Sequence, residues 1–89
     1  MTQYMIDITK LIPMTRNTVT QITSLATRYD CTLTIASQNV ILNAKSMLGL
    51  LSMTNPTYGK VTFTADGEGE EQAIAALKDL INKLLLSAE

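Results

Sequence analysis

Residues 43–53 read N-A-K-S-M-L-G-L-L-S-M, and the rest of the chain is organised around them. Ser46 directly precedes an apolar run too short for a full-length helix, and serine is a favoured helix N-cap. Its hydroxyl can accept a hydrogen bond from a free backbone N–H of the first turn, and those N–H groups would also favour a phosphate on the hydroxyl. Lys45 adds a positive charge beside it. The stretch therefore predicts a short helix that begins at a serine serving as a cap, as a phosphorylation site, or as both.

The same short helix carries an apolar face. Helical spacing brings three of its residues close together on the surface of the helix: Met47, Leu48 and Leu51. A small patch of Met and Leu beside a phosphate suits a modest protein contact. Plain packing into the core of the domain is the alternative interpretation of these three side chains.

Alternating patterns on both sides of this segment predict strands. Residues 32–36 and 40–42 flank the turn-forming Ser37-Gln38-Asn39, which predicts a hairpin with Asn39 tolerating a positive φ. After a turn-rich connection at residues 54–59, alternation resumes over residues 60–65. A first strand is predicted over Thr2–Thr9, followed by a loop over Lys10–Thr18.

Two longer helices complete the pattern. The first is predicted over Arg16–Arg28, with the spacing of a capping box at Thr18 and Gln21; its apolar positions are Val19, Ile22, Ala26 and Tyr29. The second is predicted over Glu70–Leu86, with acids in its first turn. Its apolar stripe comprises Ile74, Leu77, Ile81, Leu84 and Leu85, while Leu80 and Leu86 fall outside it and are predicted to be exposed or to lie at a dimer contact.

The order β-α-β-β-α-β-α predicts one α+β domain over residues 1–89, a sheet covered by helices on one face.

A formal net charge of -1 gives no electrostatic footprint for nucleic acid, and no apolar run approaches the length of a membrane span. The single Cys31 cannot form an internal disulfide, in agreement with a reducing cytoplasm. Residues 66–71 lack the spacing of a calcium-binding EF-hand, so no metal or cofactor is predicted.

Two stretches carry a resemblance to a known family. The run N-A-K-S-M-L-G-L-L-S and the later V-T-F-T-A-D-G, followed by an acidic helix start, resemble HPr, the small phosphocarrier of the bacterial sugar phosphotransferase system. The resemblance runs without gaps from about Arg28 to Leu84. It implies an open-faced β-sandwich with a four-stranded antiparallel sheet and helices on one face.

The resemblance also shows what the chain lacks. HPr carries its phosphoryl group on a histidine, and this chain has no histidine. Extending the gap-free match places Thr15 where that histidine would be. It also places Asn17 where the family has an arginine that is expected to assist a phosphoserine contact. A shift of one residue would align Arg16 with that arginine instead. Hydroxyl and ammonium groups are weak nucleophiles without activation, so conventional phosphocarrier activity is not expected. Thr15 is then a relic, a hydroxyl phosphosite or simply a loop or cap residue, while Arg16 is a candidate contact for a phosphate on Ser46.

Three functional hypotheses follow. In the first, the chain is a non-enzymatic cytoplasmic regulator, similar to the catabolite-repression HPr of bacilli, which also lacks the histidine and keeps the serine. The resemblance then implies that an HPr kinase/phosphorylase phosphorylates Ser46 and that a catabolite-control transcriptional regulator binds the product, without direct contact to nucleic acid or membrane. The second hypothesis is an atypical phosphocarrier, and the third is an HPr-fold interaction module without phosphorylation. A monomer or a weak homodimer is compatible with all three.

Overall fold

The computed structural model describes residues 1–53 and 59–87. The elements are β1 (Thr2–Asp7), a 3-10 turn (Thr9–Leu11), α1 (Arg16–Ala26), β2 (Thr32–Ser37), β3 (Val40–Asn43), α2 (Met47–Leu51), β4 (Lys60–Asp66) and α3 (Glu70–Ser87). Within the described ranges, no helix has both the length and the apolar character that crossing a bilayer requires. Most of the predicted connection over residues 54–59 lies outside the described residues, which resume at Gly59.

The four strands form a single antiparallel sheet in the order β1-β4-β2-β3. Alternate residues of β2 and β4 are buried because they face the helices; they are Leu33, Ile35, Val61, Phe63 and Ala65. The opposite face of the sheet stays open. The predicted α+β class, with helices covering one face of an antiparallel sheet, is therefore confirmed.

The two long helices bury most of the stripes that their periodicity predicts, but Tyr29 lies beyond the end of α1, and Leu84 and Leu85 are only half-buried. In α1 these residues are Val19, Ile22 and Ala26, and in α3 they include Ile74, Leu77 and Ile81. Leu80 is half-buried and packs against the core, so the exposure predicted for it is wrong, whereas Leu86 is exposed as expected. Cys31 is fully buried among the apolar side chains of the core.

Several details of the sequence predictions need correction. β1 ends at Asp7, not at Thr9, because the Asp7 carboxylate accepts a hydrogen bond from the Thr9 amide at 2.9 Å and turns the chain into the 3-10 element. α1 begins at Arg16 as predicted but ends at Ala26 instead of Arg28, and the Thr15 hydroxyl, not that of Thr18, caps it by accepting from the Thr18 amide at 3.2 Å. In the hairpin turn, the positive φ of 52° falls at Gln38 rather than at Asn39.

Candidate functional site

Ser46 is the N-cap of α2, as predicted. Its backbone is extended, with φ −100° and ψ 115°, and its Oγ accepts a hydrogen bond from the Gly49 amide at 3.1 Å. A Cβ at position 49 would lie 3.4 Å from that Oγ, which is an ordinary van der Waals distance. Ser46 is half-buried. The hydroxyl is thus fixed at the amide end of α2 on a residue that retains contact with solvent.

The apolar residues of α2 do not all face the same way. Leu48 is 82% exposed and Met47 is 39% exposed. Leu51 is half-buried and packs against the core, and Leu50 is fully buried beneath the helix. Of the three predicted contact residues, Met47 and Leu48 therefore form a surface beside Ser46, which we call the α2 face. The core-packing alternative describes Leu51.

Lys45 is held in place by a contact that the sequence did not indicate. Its ammonium donates a hydrogen bond to the Tyr29 carbonyl oxygen at 2.7 Å, and its backbone amide donates to the Asn43 side chain at 2.9 Å. Tyr29 lies just beyond the end of α1. Lys45 thus attaches the start of α2 to the chain that leaves α1, and its charge is oriented towards that carbonyl.

The other candidate residues lie around the start of α1. Thr15 caps the helix, Arg16 is its first residue and Asn17 follows. A cavity of about 240 Å³ opens here, and its lining comprises Lys10, Leu11, Pro13, Thr15, Asn17, Thr18, Leu84 and Ser87. For Thr15, the cap alternative of the sequence analysis is confirmed. The structure brings Thr15 and Asn17 together beside one surface recess between the start of α1 and the end of α3.

The region around Ser46 and the region around Thr15 lie at opposite ends of the pair formed by α1 and α2. The Met14 amide donates to the Met53 carbonyl oxygen at 3.4 Å, which puts the start of α1 beside the end of α2. The Lys45–Tyr29 contact puts the start of α2 beside the end of α1. The role of Arg16 as a contact for a phosphate on Ser46 stays a prediction.

The shifted ionisable groups lie away from α2. The Thr9 hydroxyl and then its amide hold the pKa of Asp7 below its usual value, and burial raises the pKa of Tyr4. The N-terminal ammonium, followed by the Thr2 hydroxyl, lowers the pKa of Glu70 at the start of α3. Among the described residues, no group of three or more His, Cys, Asp or Glu side chains is arranged to hold a metal ion. What this arrangement offers at Ser46 is a hydroxyl at the amide end of a helix, on a residue that keeps contact with solvent.

Comparison with known proteins identifies a matching family and similar structures for this chain. A family model described as the phosphorylation site of the HPr component of the phosphotransferase system matches residues 14–83. The chain is similar to the crystal structure of HPr-C-His from Thermoanaerobacter tengcongensis, with 28% identity over 92% of each chain and a TM-score of 0.81. It is also similar to Crh, the catabolite repression containing protein of Bacillus subtilis, with 26% identity over 79% of this chain and 80% of that one and a TM-score of 0.71. The Crh structure is described as a dimer with a swapped domain.

A third similarity concerns the fold alone. The histidine-containing phosphocarrier protein of Mycoplasma is 23% identical over 93% of this chain and 94% of its own, with a TM-score of 0.84. The sheet order and the helix placement described above are therefore shared with a phosphocarrier that contains a histidine, although this chain has none.

Proposed function

Because the chain belongs to the HPr family of the phosphotransferase system, we propose that it is a regulatory HPr-like protein of carbon catabolite control that is switched by phosphorylation of Ser46. It acts by protein contact in the cytoplasm and does not relay phosphoryl groups through a histidine. The observation that carries the proposal is the half-buried Ser46, held as the cap of α2 beside the exposed Leu48, in a chain without histidine.

A phosphate on Ser46 would change the surface more than the fold. It adds about −1.5 to −2 charges at neutral pH and three strong acceptor oxygens. Its interaction with the dipole of a helix contributes about 0.3–1 kcal/mol, which is small beside the packing of Leu50 beneath α2. The phosphate oxygens can also accept from the first-turn amides. The product is therefore a new recognition surface in which an anion adjoins the apolar α2 face.

The candidate residues take different parts in this proposal. Ser46 receives the phosphate, and Met47 and Leu48 supply the exposed apolar contact, with Leu51 supporting them from below. Lys45 holds the start of α2 against the end of α1. Arg16, the first residue of α1, is kept as a candidate contact for the phosphate and for the partner. Thr15 and Asn17 fill the place of the family's phosphohistidine motif without its chemistry.

The partners are proposed by resemblance to the family. An HPr kinase/phosphorylase would add and remove the phosphate, and a transcriptional regulator of the catabolite-control type would bind the phosphorylated form. The chain itself makes no contact with DNA in this proposal. The similarity to Crh supports it, because Crh is named for catabolite repression.

The direct test is phosphorylation of the purified protein. Incubation with an HPr kinase and ATP, followed by peptide mapping, should place one phosphate on Ser46 and none on Ser46→Ala. Ser52→Ala is the matched control, because Ser52 is an exposed serine at the opposite end of α2, and it should be labelled like the wild type. Absence of phosphate in the wild type would leave the HPr-fold interaction module as the better hypothesis.

A second measurement separates regulation from phosphoryl relay. Incubation with phosphoenolpyruvate and enzyme I of the phosphotransferase system should give no acid-labile phosphate; a label there would support the atypical phosphocarrier. The phosphorylated protein should bind a catabolite-control regulator more tightly than the unphosphorylated one. Leu48→Ala should weaken that binding, whereas Leu86→Ala, which removes a similarly exposed leucine from the end of α3, should not.

A further inference from the structure

The methionines of the chain differ in their access to solvent. Met14 and Met53 are each 6% exposed, whereas Met1 and Met5 are each 76% and Met47 is 39% exposed. Oxidation of a thioether requires contact between the sulfur and a dissolved oxidant, so susceptibility follows exposure. In the folded protein, Met1, Met5 and Met47 are therefore open to oxidation, and Met14 and Met53 are shielded. Met5 lies on the open face of the sheet, away from the helices.

Met47 combines this access with a special position. It is the first residue of α2 and follows Ser46 directly. A protein that approaches the Ser46 hydroxyl must therefore approach the Met47 backbone and, within a few ångströms, its side chain. The neighbouring Leu48 is more exposed still, and α2 contains no charged residue. The Met47 thioether thus belongs to the apolar surface that surrounds the proposed phosphorylation site.

From this placement we propose that Met47 is a reversible oxidation site whose sulfoxide blocks protein contact at the Ser46 end of α2. The inference rests on the proposed function, because the contact it controls is the one made during phosphorylation. The oxidant is a hydroperoxide. The Met47 sulfur attacks the terminal peroxide oxygen, the O–O bond breaks and an S–O bond forms. The sulfur loses two electrons, the peroxide gains them, and water or an alcohol leaves.

The sulfoxide changes the character of the α2 face. A flexible apolar side chain becomes polar and gains a strong hydrogen-bond acceptor. A partner that covers Met47 must then either leave the acceptor unpaired or retain water at the contact. An unpaired buried polar group weakens an interaction by at least about fivefold and commonly by more. Methionine sulfoxide reductases restore the thioether, so the change is reversible.

The experiment uses the whole protein treated with hydrogen peroxide under native conditions. Peptide mapping should find one added oxygen on each of Met1, Met5 and Met47, with Met14 and Met53 unmodified. An HPr kinase should then phosphorylate Ser46 at least about fivefold more slowly than in untreated protein, and treatment with methionine sulfoxide reductases should restore the rate. The circular dichroism spectrum should be unchanged by oxidation.

Two volume-conserving variants isolate the responsible residue. Met47→Leu should be phosphorylated at the same rate before and after peroxide, whereas Met5→Leu should remain as sensitive as the wild type. The inference is overturned if Met47 stays reduced while Met5 is oxidised, or if oxidised Met47 leaves the rate unchanged. Untreated protein that the kinase does not phosphorylate would instead refute the proposed function, and the role of Met47 would fall with it.

Discussion

The cap at Ser46 makes a quantitative prediction for stability. Replacing Ser46 with alanine removes the oxygen that accepts from the Gly49 amide at 3.1 Å and leaves that amide without its partner. The loss of such a cap costs about 1 kcal/mol, within a range of about 0.5–2 kcal/mol. Leu50 stays buried beneath α2, so the helix should remain docked and the cost should be confined to the cap.

The expected shift in melting temperature follows from the length of the chain. With an unfolding entropy of about 2.1 cal/mol/K per residue, 89 residues give roughly 0.19 kcal/mol/K. A loss of about 1 kcal/mol therefore lowers the melting temperature of Ser46→Ala by about 5 °C. Thermal unfolding followed by circular dichroism resolves a shift of this size, and urea unfolding gives an independent value.

Ser46→Asn is the decisive companion variant. Asparagine caps helices about as well as serine but offers no hydroxyl to a kinase, so this variant should melt within about 2 °C of the wild type. Ser52→Ala should also change little, because the Ser52 hydroxyl is exposed and only donates to the Gly49 carbonyl at the end of α2. The argument is refuted if Ser46→Ala melts with the wild type, or if Ser46→Asn falls as far as Ser46→Ala. When phosphorylation is tested, Ser46→Asn removes the phosphosite without the folding cost of alanine.

Two further predictions concern the start of the fold and its glycines. Hydrogen bonds from Thr9 lower the pKa of Asp7, so the ionised carboxylate should make the wild type more stable than Asp7→Asn. This advantage should be complete above the usual pKa of 3.8 and should vanish as the pH falls through the lowered value, as measured by urea midpoints across that range. An advantage that persists in strong acid contradicts this. Gly59→Ala should destabilise the protein by about 1–3 kcal/mol, because its Cβ would overlap the Thr9 hydroxyl and would lie 2.9 Å from the Thr9 Cα. Gly49→Ala, in helical α2 with a nearest contact of 3.4 Å, should be neutral or stabilising by up to about 1 kcal/mol. Equal urea midpoints for the two variants would contradict this pair.

The parts of the fold that follow from the sequence depend on local signals. Alternation identified the strands and 3.6-residue periodicity identified the buried stripes of α1 and α3, because both patterns are read over neighbouring residues. The cap at Ser46 is equally local, since its hydroxyl bonds an amide three residues away. The sheet order β1-β4-β2-β3 has no such local signal and was available only through the family resemblance.

The cap of α1 shows why some details escaped prediction, although the helix begins at Arg16 as predicted. Thr15 is followed at the cap spacing by Thr18, and Thr18 is followed at the same spacing by Gln21, so local chemistry offers two caps. The hydrogen bond from the Met14 amide to Met53, 39 residues later in the chain, holds the backbone just before Thr15, the residue that serves as the cap. The Lys45–Tyr29 contact is likewise long-range, spanning 16 residues. Helical spacing also could not say that Leu48 faces solvent while Leu51 faces the core.

The arrangement of α1 and α2 explains how the fold tolerates the loss of a histidine. Thr15, placed by the family match where that histidine would be, is exposed, and its hydroxyl caps α1, so neither the core nor the helix start requires an imidazole there. Ser46 lies at the opposite end of the helix pair and depends on a separate set of contacts, namely Gly49 and, through Lys45, Tyr29. The capping contacts at one end therefore do not include those at the other. A protein with this fold can lose phosphoryl relay at the start of α1 and keep a modifiable hydroxyl at the start of α2, which is the combination that the proposed regulatory function requires.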